Sequence, residues 1–395
     1  MSEWKEVSLS ELGKTITGKT PSSQYPEDFG DEVPFITPSD SFEKKYISRS
    51  ERYLSRLGSD RLKDKIISSD SIIVTCIGSA MGKVAKNSLP SVTNQQINSI
   101  IVNENFDSDY IYYLFKNNYA VFRNAASGST AIPILNKTDF DNLRFKVELD
   151  LNQQRKMVSI LSKIDAKIEI NNQINQELEA MAKTLYDYWF LQFDFPDQNG
   201  KPYKSSGGKM VYNPEREREI PEGWEVEKLS HFLTIKNGKD HKHLQDGKFA
   251  VYGSGGIMRT VTDYLYSGES ILFPRKGTLN NVMYVNEKFW TVDTMFYSEV
   301  NKNNSALYVF YSVKDIDFNK LNTGTGVPSM TSSILYDLNI IVPEENILEK
   351  FNTIVKRNYE TIKLNNIQNQ ELTQLRDWLL PMLMNGQVKV EDFII

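Results

Sequence analysis

The phrase NNQINQEL at residues 171–178 returns as NNIQNQEL at 365–372, 194 positions further on (365 − 171). Two copies of so particular a phrase indicate an internal duplication. The first copy lies in a stretch, 152–189, that holds no Gly and no Pro. Within it Met157, Leu161, Ile164, Ile168, Asn171, Asn175, Leu178, Ala182, Leu185 and Trp189 follow one another at 4,3 spacing. That is the narrow seam of a coiled coil rather than the broad stripe of a surface helix. The second copy repeats it with Phe351, Val355, Asn358, Ile362, Asn365, Asn369, Leu372, Leu379 and Leu383, and Arg376 interrupts it where the first copy has Ala182. A seam asparagine weakens a coiled coil but selects its register, because it is least costly opposite another polar group. The register residues are therefore Asn171, Asn175, Asn365 and Asn369. The helices predicted over 152–190 and 346–384 have their midpoints at 171 and 365. Antiparallel pairing then predicts that Asn171 meets Asn365 at a pseudo-two-fold axis. Two separate helices, each on its own core, remain the alternative.

The duplication extends outward from the helices. Trp4, Leu9, Ser10, Gly18 and Lys19 recur as Trp224, Leu229, Ser230, Gly238 and Lys239, an offset of 220 (224 − 4). SIIVTCIGSAMGKV at 71–84 matches SILFPRKGTLNNVM at 270–283, an offset of 199 (270 − 71). SGSTAIP at 127–133 corresponds to TGTGVP at 323–328. The falling offset places missing residues in the early loops of the second copy, and divergent loops between shared landmarks are where two copies can differ in function. Apolar β-branched runs at 72–75 and 97–102 read as strands, and 109–121 as a short amphipathic helix. Residues 193–224 are rich in Pro, Gly, Ser and charge and read as a crossover. The expected fold class is α+β: two mixed α/β domains separated by two long helices that form an antiparallel coiled coil. Expected boundaries are 1–150 for the first domain, 151–191 for the central helix and 192–223 for the crossover. The second domain takes 224–345, the C-terminal helix 346–386 and a tail 387–395.

The 395 residues suffice for two or three domains, and 40% hydrophobic with 25% charged residues is ordinary for a globular chain. No run of eighteen apolar residues predicts a membrane span, and MSEWKEVSL at the start has no apolar signal core, so a cytoplasmic location is expected. The single Cys76 excludes an intramolecular disulfide and a cysteine-cluster zinc site. A net charge of −5 neither advertises nucleic-acid binding nor excludes it, because the footprint of such binding is a local patch.

GKTITGKT at 13–20 matches the phosphate-loop pattern G-x-x-x-x-G-K-[ST]. That pattern works only between a buried parallel strand and a helix, whose amides and dipole face the phosphates. Here 8–12 reads as polar, Pro21 to Pro26 opposes a helix start, and the second copy has Asp240 where a hydroxyl is required. A turn with an exposed lysine is the plainer reading. His231, His241 and His243 cluster, but no acidic or cysteine partner at ligand spacing joins them and the first copy holds no histidine. Histidine-dependent catalysis shared by both copies is thereby excluded. No Asp/Asn-Pro-Pro-aromatic tetrapeptide, Gly-rich methyl-donor loop or Asp…Glu-x-Lys nuclease cluster stands out.

What remains are polar, glycine-bearing loops: 18–19, 37–40, 78–83, 94–96 and 127–130, with counterparts at 236–243, 252–256, 275–281, 293–294 and 323–326. Lys and Arg contact phosphates, Asn, Gln and Arg read base edges, and glycine lets backbone approach a groove. Such loops also occur as plain surface turns; their recurrence in both copies is what favours function.

These features together resemble the specificity (S) subunits of type I restriction–modification systems, over nearly the whole chain. The resemblance is carried by the duplicated openings WKEVSL at 4–9 and WEVEKL at 224–229. It is carried also by the helical region NQQRKMVSILSKIDAKIEINNQINQELEAMAKTLYDYWF at 152–190 and by FDFPDQNGKPYKSSGGKMV with IPEGW between the copies. VPFITPSD at 33–40 and SGSTAIPILNKTDF at 127–140 fit target recognition domains of that family. NQQ at 152–154 departs from its usual Pro-rich lead, and the second helix lacks even that. The resemblance implies a non-catalytic reader of double-stranded DNA, each domain taking one half of a split target. It implies that the helices space the domains and dock two modification subunits, which restriction subunits then join. S-adenosylmethionine, ATP and Mg would belong to those partners, with no cofactor or metal in this chain. Lys19, Lys83, Lys239, Lys242, Arg275 and Lys276 would then contact phosphates. Thr37, Ser39, Ser79, Asn94, Gln95, Ser129, Thr278, Asn280 and Thr325 would read bases. A phosphate-loop NTPase and a structural coiled-coil adaptor are the rival readings.

Overall fold

The computed structural model describes residues 3–78, 81–126, 133–324 and 326–390. The chain divides into two compact units, Met1–Ile170 with Gln368–Ile395, and Asn171–Ile367. In chain order the first copy runs β1 (Trp4–Ser8), α1 (Leu9–Leu12), β2 (Gly13–Thr17), β3 (Phe29–Gly30), β4 (Val33–Ile36), β5 (Tyr46–Ile47), β6 (Arg52–Leu54) and α2 (Arg56–Arg61). It continues with β7 (Ile66–Ile67), β8 (Ile72–Thr75), β9 (Val84–Asn87), β10 (Ser91–Thr93), β11 (Ile97–Val102), α3 (Ser108–Asn117), α4 (Tyr119–Asn124), α5 (Lys137–Asp141) and β12 (Arg144–Glu148). The long α6 (Leu151–Tyr186) follows. The second copy comprises β13 (Met210–Asn213), β14 (Arg218–Pro221), β15 (Glu225–Lys228), β16 (Leu233–Asn237), β17 (Asp246–Gly253), β18 (Gly256–Val261), β19 (Tyr266–Pro274) and β20 (Met283–Thr291). β21 (Met295–Val300), α7 (Ala306–Lys314), α8 (Ser332–Tyr336), β22 (Asn339–Val342) and the long α9 (Glu345–Met384) complete it.

The duplication seen in the sequence is a duplication of topology. The first unit holds a sheet of order β2-β11-β8-β9-β5 and the second one of order β16-β21-β19-β20-β17-β18. In both, the fifth strand is parallel to its neighbour: β5 to β9, and β17 to β20. The small antiparallel pair β1–β12 likewise recurs as β15–β22. The first unit adds a second sheet, β3-β6-β4-β10-β7, which accounts for the extra residues in its early loops.

Each unit has its own core. In the first, Ile72 and Val74 of β8 and Ile100 of β11 pack with Tyr110, Tyr113 and Phe115 of α3. In the second, Ile271 and Phe273 of β19 pack with Leu307, Tyr308 and Val313 of α7. Each fully buried aliphatic or aromatic side chain contributes roughly 1.5–3 kcal/mol.

The seam of 4,3 spacing is the buried stripe of α6: Met157, Leu161, Ile164, Asn171, Asn175 and Ala182 are all buried, as is Trp189 just beyond its end. In the first unit Met157, Val158 and Leu161 share a core with Leu380, Leu383 and Met384 of α9. In the second unit Ala182 and Tyr186 share a core with Phe351 and Val355. The start of one helix thus packs on the end of the other within the first unit, and the reverse holds within the second. That is antiparallel pairing.

Its register differs by one turn from the midpoint expectation. Asn365 Nδ2 donates to Asn175 Oδ1 at 2.8 Å, not to Asn171, and Asn175 Nδ2 donates to Asn366 Oδ1 at 2.9 Å. Asn358 Nδ2 donates to the Leu178 carbonyl at 3.3 Å. Asn171 is fully buried, whereas Asn369 is half-buried. Arg376 is a partnered position rather than a flaw. Its Nη1 donates to Asp165 Oδ1 at 3.1 Å, and Asp165 Oδ2 accepts the Tyr113 hydroxyl at 2.6 Å. Side-chain pairing of this kind, not helix length, sets the register.

GKTITGKT proves to be a strand and its exit loop. Gly13–Thr17 is β2, antiparallel to β11, with Thr17 opposite Asn98. No helix follows before the short turn at Pro26–Asp28. The preceding stretch is not polar throughout as expected: Leu9 and Leu12 of α1 are fully buried. The strand–loop–helix setting that phosphate binding needs is not formed. Among the described residues, no helix is long and apolar enough to cross a membrane.

Candidate nucleic-acid interface

Pairing register places the predicted loops at one end of each sheet. In the first unit β2 ends at Thr17 opposite Asn98, and β8 ends at Thr75 opposite Ile97. The exits of β2 and β8 therefore lie beside the entry to β11. Backbone bonds then tie the loops together. Lys19 N donates to the Thr93 carbonyl at 2.8 Å, Asn94 N to the Ile36 carbonyl at 3.0 Å, and Cys76 N to the Gln96 carbonyl at 2.8 Å. Gly78 N donates to the Pro133 carbonyl at 3.1 Å. Loops 18–20, 37–40, 76–78, 94–96 and the segment at 133 thus form one cluster.

The second unit builds the same cluster from the exits of β16 and β19 and the entry to β21. Lys239 N donates to the Thr291 carbonyl at 2.9 Å, Arg275 N to the Thr294 carbonyl at 2.8 Å, and Gly277 N to the Pro328 carbonyl at 3.0 Å. Asn281 Nδ2 adds the β17–β18 turn through the Ser254 carbonyl at 2.8 Å.

Glycine is required where the exit strand meets the neighbouring loop. A Cβ on Gly18 would stand 2.2 Å from the Asn94 and Thr93 carbonyl oxygens, and one on Gly238 would stand 2.0 Å from the Val292 carbonyl oxygen. Both contacts are far inside van der Waals range, so only glycine lets the following lysine be pinned where it is.

Lys19, Lys83, Lys239, Lys242, Arg275 and Lys276 are all exposed. Among the described residues none of the six is ion-paired with a carboxylate, whereas Lys236 of the same region is held by Glu299 at 3.5 Å. Lys83 lies somewhat apart, lining a groove of about 310 Å³ with Phe42, Glu43, Lys116 and Tyr119. Trp290 Nε1 donates to the Lys239 carbonyl at 2.9 Å and braces that loop.

The polar candidates divide by what their side chains already do. Asn94 is buried and its amide is spent on Gln96, with Gln96 N donating to Asn94 Oδ1 at 3.1 Å. It shapes the loop and does not face solvent, contrary to expectation. Gln95 is exposed and accepts the Thr20 hydroxyl at 2.5 Å. Thr37 and Ser39 share a hydroxyl contact at 2.7 Å. Asn280 Nδ2 donates to Asp317 Oδ1 at 3.1 Å, and this bond is the leading cause holding the Asp317 carboxyl below its ordinary value. Thr278 is exposed. Ser79, Ser129 and Thr325 lie outside the described residues.

Asp40 is an organiser that the sequence reading passed over. It is buried, and its carboxylate accepts Thr37 N at 2.7 Å, Ser50 Oγ at 2.9 Å and Glu51 N at 2.9 Å. Only its Thr-x-x-Asp spacing from Thr37, a capping-box-like pattern, could have marked it. His231 and His243 lean on Phe232 and Trp290 at 5.0 and 6.1 Å between ring centres, and no group of three or more His, Cys, Asp or Glu among the described residues is placed to hold a metal. Burial pushes the Cys76 thiol up to about 12, the opposite of what a nucleophile needs.

The model of the type I restriction–modification DNA specificity domain matches residues 1–180 and 221–374, one match to each copy. The chain is 29% identical to the specificity subunit of the type I restriction enzyme MjaIX of Methanocaldococcus jannaschii, covering 99% of this chain and 94% of that one. It is 23% identical to the HindI specificity subunit of Haemophilus influenzae, covering 98% and 100%. The crystal structure of a type I restriction–modification S subunit from M. genitalium shares the fold, with a TM-score of 0.63 at 17% identity over 99% of this chain and 97% of that one.

Proposed function

Because the chain belongs to the type I restriction–modification DNA specificity family, we propose that its two loop clusters are the two DNA-reading surfaces, each taking one half of a bipartite, asymmetric duplex target. As a specificity subunit the chain supplies sequence choice rather than chemistry. The observation that carries the reading is the repeated cluster: the same backbone ladder at the same end of an equivalent sheet, with different exposed side chains on it. Matching scaffolds with divergent tips suit two readers of unlike half-sites.

Within that reading Lys19, Lys83, Lys239, Lys242 and Lys276 meet phosphates, which set position without sequence information. Gln95, Ser39 and Thr278, which are exposed, and Thr37, which is half-buried, face bases. α6 and α9 dock two modification subunits, which restriction subunits then join in the cytoplasm. S-adenosylmethionine, ATP and magnesium are held by those partners.

Genome-wide methylation mapping of the host, with and without the gene, tests this. A split motif with methylated adenine in both halves disappears on deletion if the reading is right. An unchanged methylome overturns it.

A further inference from the structure

Arg275 stands where the first copy buries a cysteine. The equivalence is fixed by the backbone. Cys76 N donates to the Gln96 carbonyl at 2.8 Å and Arg275 N to the Thr294 carbonyl at 2.8 Å; Leu135 N donates to the Cys76 carbonyl at 2.9 Å and Met330 N to the Arg275 carbonyl at 2.9 Å. The neighbouring side chain is exchanged in step. In the first unit Asn98 Nδ2 lies 3.4 Å from Cys76 Sγ, and both residues are buried. In the second unit Phe296 takes the place of Asn98, and Arg275 Cζ lies 5.9 Å from the centre of its ring. One matched position is thus closed in the first reader and open in the second.

Arg275 combines three properties. Its own N–H and C=O are both tied into the ladder, so the guanidinium projects from a fixed base. The Phe296 ring borders it on one side. Its side chain is exposed and, among the described residues, has no carboxylate partner. A rigidly based planar fork of donors with no acceptor matches an edge carrying two acceptors. In the major groove that edge is guanine O6 and N7; adenine offers one acceptor and one donor.

Resting on the two-reader function above, we propose that Arg275 reads a guanine in the half-site of the second reader, and that the first reader makes no contact from the corresponding position. The test is methylation mapping in cells carrying the full system with Arg275→Ala, Arg275→Gln or Arg275→Lys, and with Lys242→Ala as a phosphate-contact control. For Arg275→Ala, discrimination at one guanine of one half-site falls roughly 5- to 150-fold, while the other half-site keeps its sequence. Arg275→Gln shifts that single position toward adenine, and Arg275→Lys retains partial guanine preference. The intact half-site reports that the variants fold. Methylation lowered evenly with the motif unchanged makes Arg275 a phosphate contact and overturns the proposal, as does a methylome with no change. The two-reader function survives either result; it fails instead if deleting the gene leaves the split motif in place.

Discussion

Removing the Asn175–Asn365 contact tests the helix register. Asn175 is 8% exposed and makes two amide hydrogen bonds across the pair, at 2.8 Å to Asn365 and 2.9 Å to Asn366. A net value of about 1 kcal/mol per hydrogen bond gives a cost of about 2 kcal/mol for Asn175→Ala. Asn365→Ala removes one bond but leaves the buried Asn175 Oδ1 without that donor, so about 1–3 kcal/mol is expected. The double variant should fall short of the sum by about 1 kcal/mol, because the shared bond is lost only once. Native-state hydrogen exchange of peptides spanning 171–186 and 354–367 reads local opening of this part of the second unit. A coupling at Asn171–Asn365 larger than that at Asn175–Asn365 would refute the register. Leucine at both 175 and 365 should instead stabilise the pair while loosening its register, since apolar groups replace both polar partners together.

Other expectations follow from particular contacts. Lys86 is fully buried between Asp70 at 2.6 Å and Asp109 at 2.5 Å; because Asp70 is half-exposed and Asp109 keeps Lys45 at 2.7 Å, Lys86→Met should cost about 1.5–3 kcal/mol. Burial opposes ionisation of Asp109, yet Lys45 and Lys86 hold its carboxyl below the ordinary value. Stability from such a group is present above the unfolded value and lost as pH falls through the folded one. The deficit of the variant in urea unfolding should therefore shrink below about pH 3.9. Gly18→Ala and Gly238→Ala should each displace a reader loop and weaken DNA binding with helix exchange protection unchanged, which electrophoretic titration and hydrogen exchange on the same samples would show. Each of Lys19, Lys239 and Lys276 replaced by Ala should flatten the slope of log affinity against log salt by about 0.9 without altering the motif. An unchanged slope would remove that lysine from the phosphate contacts.

The 4,3 seam was legible because a run without Gly or Pro leaves the apolar pattern unbroken, and its asparagines correctly marked polar pairing across the helices. The register was not legible from midpoints, because it follows from Asp165 reaching Arg376 and from Asn175 reaching Asn365 and Asn366. The aligned stretches at 71–84 and 270–283 already set Cys76 against Arg275. That one is closed and the other open emerges only when strand register brings Asn98 and Phe296 beside them. Asn94 misled for a related reason: composition marks a polar loop, but whether an amide faces out or folds back on Gln96 depends on the backbone. The extra sheet β3-β6-β4-β10-β7 left only a trace, a change of offset, because two- to four-residue strands are too short to show periodicity.

The central claim is that each copy reads its own half of the target. The most direct measurement exchanges residues 1–150 for the matching stretch of another specificity subunit and maps the methylated sequence. The account predicts that one half of the motif changes and the other half stays as it was. A motif unchanged in both halves, or altered in both, contradicts it.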